Sequence, residues 1–161
     1  RKRHGLVLSM NVAENICLSI LEKISNFFKS IKKRKLLEFV DKYFNLLKIK
    51  AASPWVQTLS LSGGNQQKLV LAKSLATDCN ILIVDEPTRG IDVGAKAEIH
   101  SLIDELAGKG KAILLISSEL PELINLATNI LVFRQGKIAG SLARNEVTQQ
   151  KVLRLMAGLR N

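Results

Sequence analysis

Apolar residues recur at helical spacing through the first third of the chain, then give way to short continuous runs. Val12, Ile16 and Ile20 fall four residues apart, and Asn11 with Glu14 has the form of a capping box ahead of them. Residues 1–10 are expected to be extended. Residues 32–48 read as a second amphipathic helix, with Leu36, Leu37, Val40, Phe44 and Leu47 on one stripe and the lysines elsewhere. Ser53-Pro54 breaks the pattern. Ser62-Gly63-Gly64 then opens a helix reaching about Thr77, with Leu69, Ala72 and Leu75 on one face.

Ile81-Leu82-Ile83-Val84 is a continuous apolar, mostly β-branched run of the kind found in parallel strands buried on both faces. Asp92 is placed to cap a helix carrying Ile99, Leu102, Ile103 and Leu106, which Gly108 and Gly110 end. Residues 112–116 form a second buried run, and Pro121 suits the first turn of a further helix. Residues 129–134 and 137–142 flank Gln135-Gly136 as a hairpin. Thr148 begins a last helix with Val152, Leu155 and Met156 inward.

Residues 1–75 are thus mostly helical, and residues 81–142 alternate strand and helix. Alternation of that kind builds a parallel sheet with right-handed crossovers. Ligands of such sheets gather at the carboxyl ends of the strands. That points to Asp85, Glu86 and the segment from Ser117 to Glu119.

A length of 161 residues suits one domain, and 47% hydrophobic with 24% charged residues is ordinary for a packed protein. The longest apolar run, Ala112 to Ile116, is far short of the roughly 18 residues of a spanning helix. The net charge of +10 is uneven: residues 1–50 carry twelve Lys/Arg against four Asp/Glu, with a focus at Lys32-Lys33-Arg34-Lys35. Such a run can be a solvated helix face, or can meet an anionic surface. Aromatic residues make up only 4%, so stacking platforms for single-stranded nucleic acid are not evident. Cys17 and Cys79 stand apart among apolar neighbours, as buried thiols do, and His4 and His100 make no metal pattern.

Two stretches carry candidate chemistry. In the first, Asp85 and Glu86 end a strand, and alternation turns adjacent side chains to different sides. One can serve Mg²⁺ through its waters, and the other can face a water and draw its proton. Pro87 is expected to keep Glu86 extended. Alone, the same pattern also describes a strand leaving the core. In the second, Leu61-Ser62-Gly63-Gly64-Asn65-Gln66-Gln67 puts a serine and two glycines at a helix start, where backbone N–H groups and the helix dipole favour an anion. An ordinary N-cap has the same composition.

Together the stretches are far more specific. Leu61 to Gln67, one helix, Ile81 to Pro87 and then Arg89-Gly90-Ile91-Asp92 resemble, in order, the signature loop, Walker B strand with catalytic glutamate, and D-loop of the ATP-binding-cassette ATPases. Asn65-Gln66-Gln67, the run from Asp85 to Lys96, and Ile116-Ser117-Ser118-Glu119-Leu120-Pro121-Glu122 are similar to the second cassette of bacterial monosaccharide importers, of galactose/methyl-galactoside or ribose type.

The resemblance implies an α/β fold: the C-terminal part of a P-loop NTPase cassette, with a parallel-sheet core and a helical subdomain. Residues 1–10 would follow the Q-loop, 11–60 would be the helical subdomain, and 61–161 the signature loop and the rest of the core. It implies ATP and Mg²⁺. Asp85 would orient the metal, and Glu86 would be catalytic. Ser62, Gly63, Gly64, Gln66, Asp92 and Ser118 would meet nucleotide, partly across an interface with a second cassette. The implied partners are that cassette, membrane-spanning permease subunits and, indirectly, a sugar-binding receptor. No nucleic acid is expected. The implied place is the cytoplasmic face of the bacterial inner membrane, where the basic first third would lie near lipid headgroups.

Two departures matter. No Gly-x-x-x-x-Gly-Lys-[Ser/Thr] loop occurs in these 161 residues, so the chain by itself is not expected to hydrolyse ATP, and exposed strand edges are expected to lead to one of three outcomes: a rearranged hairpin, self-association or swapped elements. Ser118 also stands where the family usually has a switch histidine. Two other readings stay open on the residues: a non-catalytic binding module, and a nucleic-acid-associated member of the same family.

Overall fold

A computed structural model of the chain describes residues 5–25 and 31–159. The basic start, Arg1 to His4, lies outside the described residues. The helices are α1 (Val12–Cys17), α2 (Leu21–Ile24), α3 (Lys33–Leu46), α4 (Gly63–Leu75), α5 (Val93–Gly108), α6 (Leu120–Leu126) and α7 (Gln149–Ala157). The strands are β1 (Ile81–Asp85), β2 (Ala112–Ile116), β3 (Asn129–Arg134) and β4 (Lys137–Ala143). The chain divides into two compact units: Arg1–Leu82 with Pro87–Leu114, and Ile83–Glu86 with Leu115–Asn161.

The first unit is built on helices. The capping box is present: Glu14 N–H donates to the Asn11 side chain and Asn11 N–H to the Glu14 carboxylate, both at 2.8 Å. Val12, Ile16, Ile20 and Ile24 are buried, although a 3₁₀ turn at Leu18–Ile20 splits the helix in two. Residues 5–10 are turns rather than the expected extended segment. Asn15 explains why. Its side chain is fully buried and accepts from Val7 N–H while donating to the carbonyls of Val7 and Asn11 and to Thr58 Oγ1, with all four contacts between 2.9 and 3.1 Å. One amide therefore folds the chain start back onto α1.

On α3 the buried stripe runs through Val40, Tyr43 and Leu47, with Leu36 half-buried, while Leu37 faces solvent. The stripe is rotated toward Tyr43 relative to the expected one. The lysines of the basic run are exposed, and Arg34 pairs with Glu38 one turn on, as in an ordinary solvated face. Leu69, Ala72 and Leu75 of α4, and Ile99, Leu102, Ile103 and Leu106 of α5, are buried as their spacing requires.

β1 and β2 pair in a two-stranded sheet. Ala112 N–H donates to the Asn80 carbonyl, and Glu86 N–H to the Ile116 carbonyl. Both positions advance together, so the pairing is parallel. The expectation of strands buried on both faces does not hold. Leu82 and Val84 are buried, but Ile81 and Ile83 are 66% and 64% exposed. Leu114 and Ile116 of β2 are exposed as well. Successive side chains point to opposite faces, and the described residues cover one face only.

The second unit contains the expected hairpin. β3 and β4 pair antiparallel with an irregularity after Val132. Gln135 and Gly136 both have positive φ, 49° and 75°, which matches the right-handed strand twist in a tight two-residue turn. Ile130 and Val132 form a small core with Val152 of α7 and with Leu120 and Leu123 of α6. Leu155 packs where Gly140 has no side chain; a Cβ there would meet its methyls at 2.8–2.9 Å. Met156, expected inward, is 54% exposed because the hairpin receives Leu155 instead.

Cys17 is buried, which pushes its thiol up to about 11, and Cys79 is half-buried; both are free. No described helix is long and apolar enough to cross a membrane.

Candidate functional site

The Ser-Gly-Gly stretch forms a shaped helix start. Ser62 is the N-cap of α4, in extended backbone conformation, and its Oγ accepts from Asn65 N–H at 3.4 Å and from Asn65 Nδ2 at 2.9 Å. Gln66, expected to meet nucleotide, is instead buried, and its amide nitrogen donates to the carbonyls of Thr58 and Leu61 at 3.2 and 3.3 Å. It thus holds the incoming loop against the helix. Thr58 in turn is held by Asn15, and Thr58 N–H donates to the Met10 carbonyl at 3.0 Å. Residue chemistry from three separate stretches therefore sets where Ser62 stands.

Gly64 is needed for close packing. A Cβ on it would lie 2.6 Å from the Cβ of Ala95, inside any permitted contact. Ala95 belongs to the first turn of α5, whose N-cap is Asp92; the Asp92 carboxylate accepts from Ala95 N–H at 2.9 Å. The structure thus brings two candidate residues, Gly64 and Asp92, against Ala95. Asp92 is exposed. Gly63 is the first residue of α4.

Asp85, Glu86 and Ser118 lie in the second unit. Asp85 ends β1 with an exposed side chain. Glu86 is half-buried and does not stay extended: its φ is +47°. Pro87 disfavours the right-handed helical region for the residue before it, and the chain leaves the strand through the left-handed region instead. For a non-glycine residue that conformation costs roughly 1–3 kcal/mol and persists where the surroundings impose it. Two hydrogen bonds impose it here. Glu86 N–H donates to the Ile116 carbonyl, and Ser118 N–H donates to Glu86 Oε1, both at 2.8 Å. Ser118 therefore reaches Glu86 through its backbone amide.

A charged cluster escaped the sequence reading. Glu98 of α5 accepts from Lys50 at 2.7 Å and from Lys68 of α4 at 2.8 Å. Lys68 is 95% buried by side chain and donates also to the Lys48 carbonyl. Hydrogen bonds from Lys50 and then Lys68 pull the Glu98 carboxyl down to about 2. The three side chains line a groove of about 410 Å³ beside the end of α3. They are 18 and 30 residues apart in sequence, so only packing brings them together.

Among the described residues no group of three or more His, Cys, Asp or Glu side chains gathers as a metal site. A single exposed carboxylate such as Asp85 is nonetheless the way Mg²⁺ is often held beside phosphate, with water completing the shell.

Comparison with known proteins is consistent in direction. The family model described as ABC transporter matches residues 2–89. The ribose import ATP-binding protein RbsA of Clostridium perfringens is 45% identical over the whole chain, which covers 32% of that protein. The L-arabinose transport ATP-binding protein AraG of Geobacillus stearothermophilus is 48% identical over 97% of the chain and 30% of its own length. The chain thus spans about a third of the curated relatives it matches. Among solved structures, an ATP-binding cassette of an ABC transporter in its ADP conformation superposes with a TM-score of 0.77 at 23% identity, over 93% of this chain and 63% of that one. A dimeric cassette in a post-hydrolysis state bound to ADP and phosphate gives 0.75 at 17% identity, over 89% and 61%. By its family match, its relatives and its fold, the chain belongs to the ABC transporter family, as the C-terminal part of an ATP-binding cassette.

Proposed function

We propose that this chain is the part of a monosaccharide importer's ATPase subunit that supplies the signature loop, the Walker B carboxylates and the D-loop. The relatives named for ribose and arabinose import support the sugar class. In this reading Ser62 and Gly64 meet the γ-phosphate of ATP held by a second cassette, and Gly63 lines the same approach. Gln66 contributes through the loop carbonyls it holds. Asp92 bridges toward the partner cassette from the start of α5. Permease subunits receive the helical subdomain, and the assembly sits on the cytoplasmic face of the membrane.

The observation that carries the reading is the geometry of Glu86. Its carboxylate is fixed by the Ser118 amide at 2.8 Å, at a strained backbone position at the end of β1. A residue so held presents one oxygen to the amide and leaves the other to orient and polarise a water. Asp85, adjacent and exposed, would hold Mg²⁺ through water. When bound, that ion neutralises charge on the phosphates. Ser118 serves Glu86 by main-chain N–H, so a histidine is not needed at that position to fix the carboxylate.

Glu86→Gln in the assembled transporter is the test. Loss of a general base lowers turnover by roughly 10²–10⁴. Sugar-coupled phosphate release at the original rate would refute the assignment.

A further inference from the structure

The hydroxyl of Ser62 has one proton to donate and two lone pairs to accept with. Asn65 occupies both lone pairs, through its backbone N–H at 3.4 Å and its side-chain Nδ2 at 2.9 Å. The Asn65 amide cannot rotate to do otherwise. Its Oδ1 accepts from Lys50 N–H at 2.8 Å, and a backbone donor admits only the oxygen end of the amide. Lys50 itself is tied down, since its side chain pairs with Glu98, which also holds the buried Lys68.

We infer that Asn65 is a positioning residue: it takes both acceptor sites of Ser62 and so directs the Ser62 proton outward as a hydrogen-bond donor to phosphate. The inference rests on the reading of Ser62 as a γ-phosphate contact. It also assigns a role to Lys50, whose backbone N–H holds the Asn65 amide in the orientation this requires. An unrestrained serine at the same place could turn its proton onto a nearby carbonyl. Here both acceptor positions are taken, and the proton is what Ser62 has left to offer.

Aspartate is the discriminating substitution. It has the shape of asparagine and can still accept from Lys50 N–H, but its second oxygen cannot donate. The Ser62 proton would then turn inward to the carboxylate. In the assembled transporter, Asn65→Asp is expected to raise the KM for MgATP roughly tenfold or more, the loss of one hydrogen bond to a charged group. Asn65→Ala, which leaves the proton free, is expected to raise it only about threefold. A merely structural role predicts the reverse order, since alanine removes the packing that aspartate keeps.

The added negative charge of Asn65→Asp is controlled by a double-mutant cycle with Ser62→Ala. If Asn65 acts through Ser62, the double variant matches Ser62→Ala within about twofold. Multiplying effects would overturn the inference in favour of plain charge repulsion, as would a harmless Asn65→Asp beside a damaging Ser62→Ala. An unchanged KM in Ser62→Ala would instead overturn the phosphate-contact reading itself, and the inference with it.

Discussion

Replacing Gly64 by alanine separates two reasons for a glycine at the start of α4. A Cβ at this position would lie 2.6 Å from Ala95 Cβ. Carbon pairs prefer about 3.5–4.0 Å, so α4 and the first turn of α5 must part by about 1 Å. Overpacking of this size costs about 1–3 kcal/mol. The better helix propensity of alanine returns up to about 1 kcal/mol. The net expectation for Gly64→Ala is a loss of about 0.5–2 kcal/mol, or a few degrees in Tm for a chain of this length. Ala95→Gly alone loses helix propensity, but in combination it removes the clash. The double variant should therefore be more stable than the two single losses predict, by about 1–2 kcal/mol in a thermal or urea denaturation cycle. A coupling below about 0.3 kcal/mol would refute close packing as the reason for the glycine. The same pair also reads function. If Gly64 is needed for phosphate to approach as well, the double variant recovers stability in denaturation but not ATPase activity in the assembled transporter.

Other expectations follow from the remaining contacts. Glu98→Gln leaves the buried Lys68 ammonium with the Lys48 carbonyl as a partner, and should cost about 1 kcal/mol, solvent at the 43% exposed carboxylate screening the rest. Because the carboxyl is lowered from 4.5 to about 2, its stabilisation is complete above pH 4.5 and is lost as pH falls toward 2. The stability difference between parent and Glu98→Gln should narrow across that window in acid titrations followed by circular dichroism, and a constant difference would refute the ion pair. Asn15→Leu keeps the volume but strands Val7 and Thr58 polar groups, and should destabilise by about 2–4 kcal/mol in urea melts; a neutral result would contradict the role of this amide. Ser118→Ala keeps the N–H that reaches Glu86, so turnover should fall less than about threefold, against the far larger effect of Glu86→Gln. Calorimetric titration of MgATP into the 161-residue chain should show no binding up to millimolar concentration, since no phosphate loop is among its residues; micromolar binding would show that a complete site forms without one.

Local chemistry made much of this protein legible before any fold was known. The capping box at Asn11 and Glu14, the N-caps at Ser62, Asp92 and Thr148, and the hairpin at Gln135-Gly136 depend on residues within four positions of one another. Their physics is complete in a short window, so they could be read there. The identity of Ser62, Gly64, Asp85 and Glu86 as candidate chemistry was legible for the same reason: each motif is contiguous.

Tertiary structure alone decided what those residues face. The clash that demands Gly64 comes from Ala95, 31 positions away, and no window reports it. Pro87 disfavoured one conformation for Glu86, but the choice of positive φ over extended came from hydrogen bonds to Ile116, at the end of the next strand, and to Ser118 just beyond it. Gln66 reads as a nucleotide contact beside Ser62, yet the helix turns it inward onto the loop carbonyls. Apolar runs in β1 and β2 say that two faces could be buried, while only neighbouring elements determine whether they are. Backbone preference and capping act over a few residues and belong to the sequence. Clash, burial and the partner of a buried amide act across space, and their values exist only once the chain has packed.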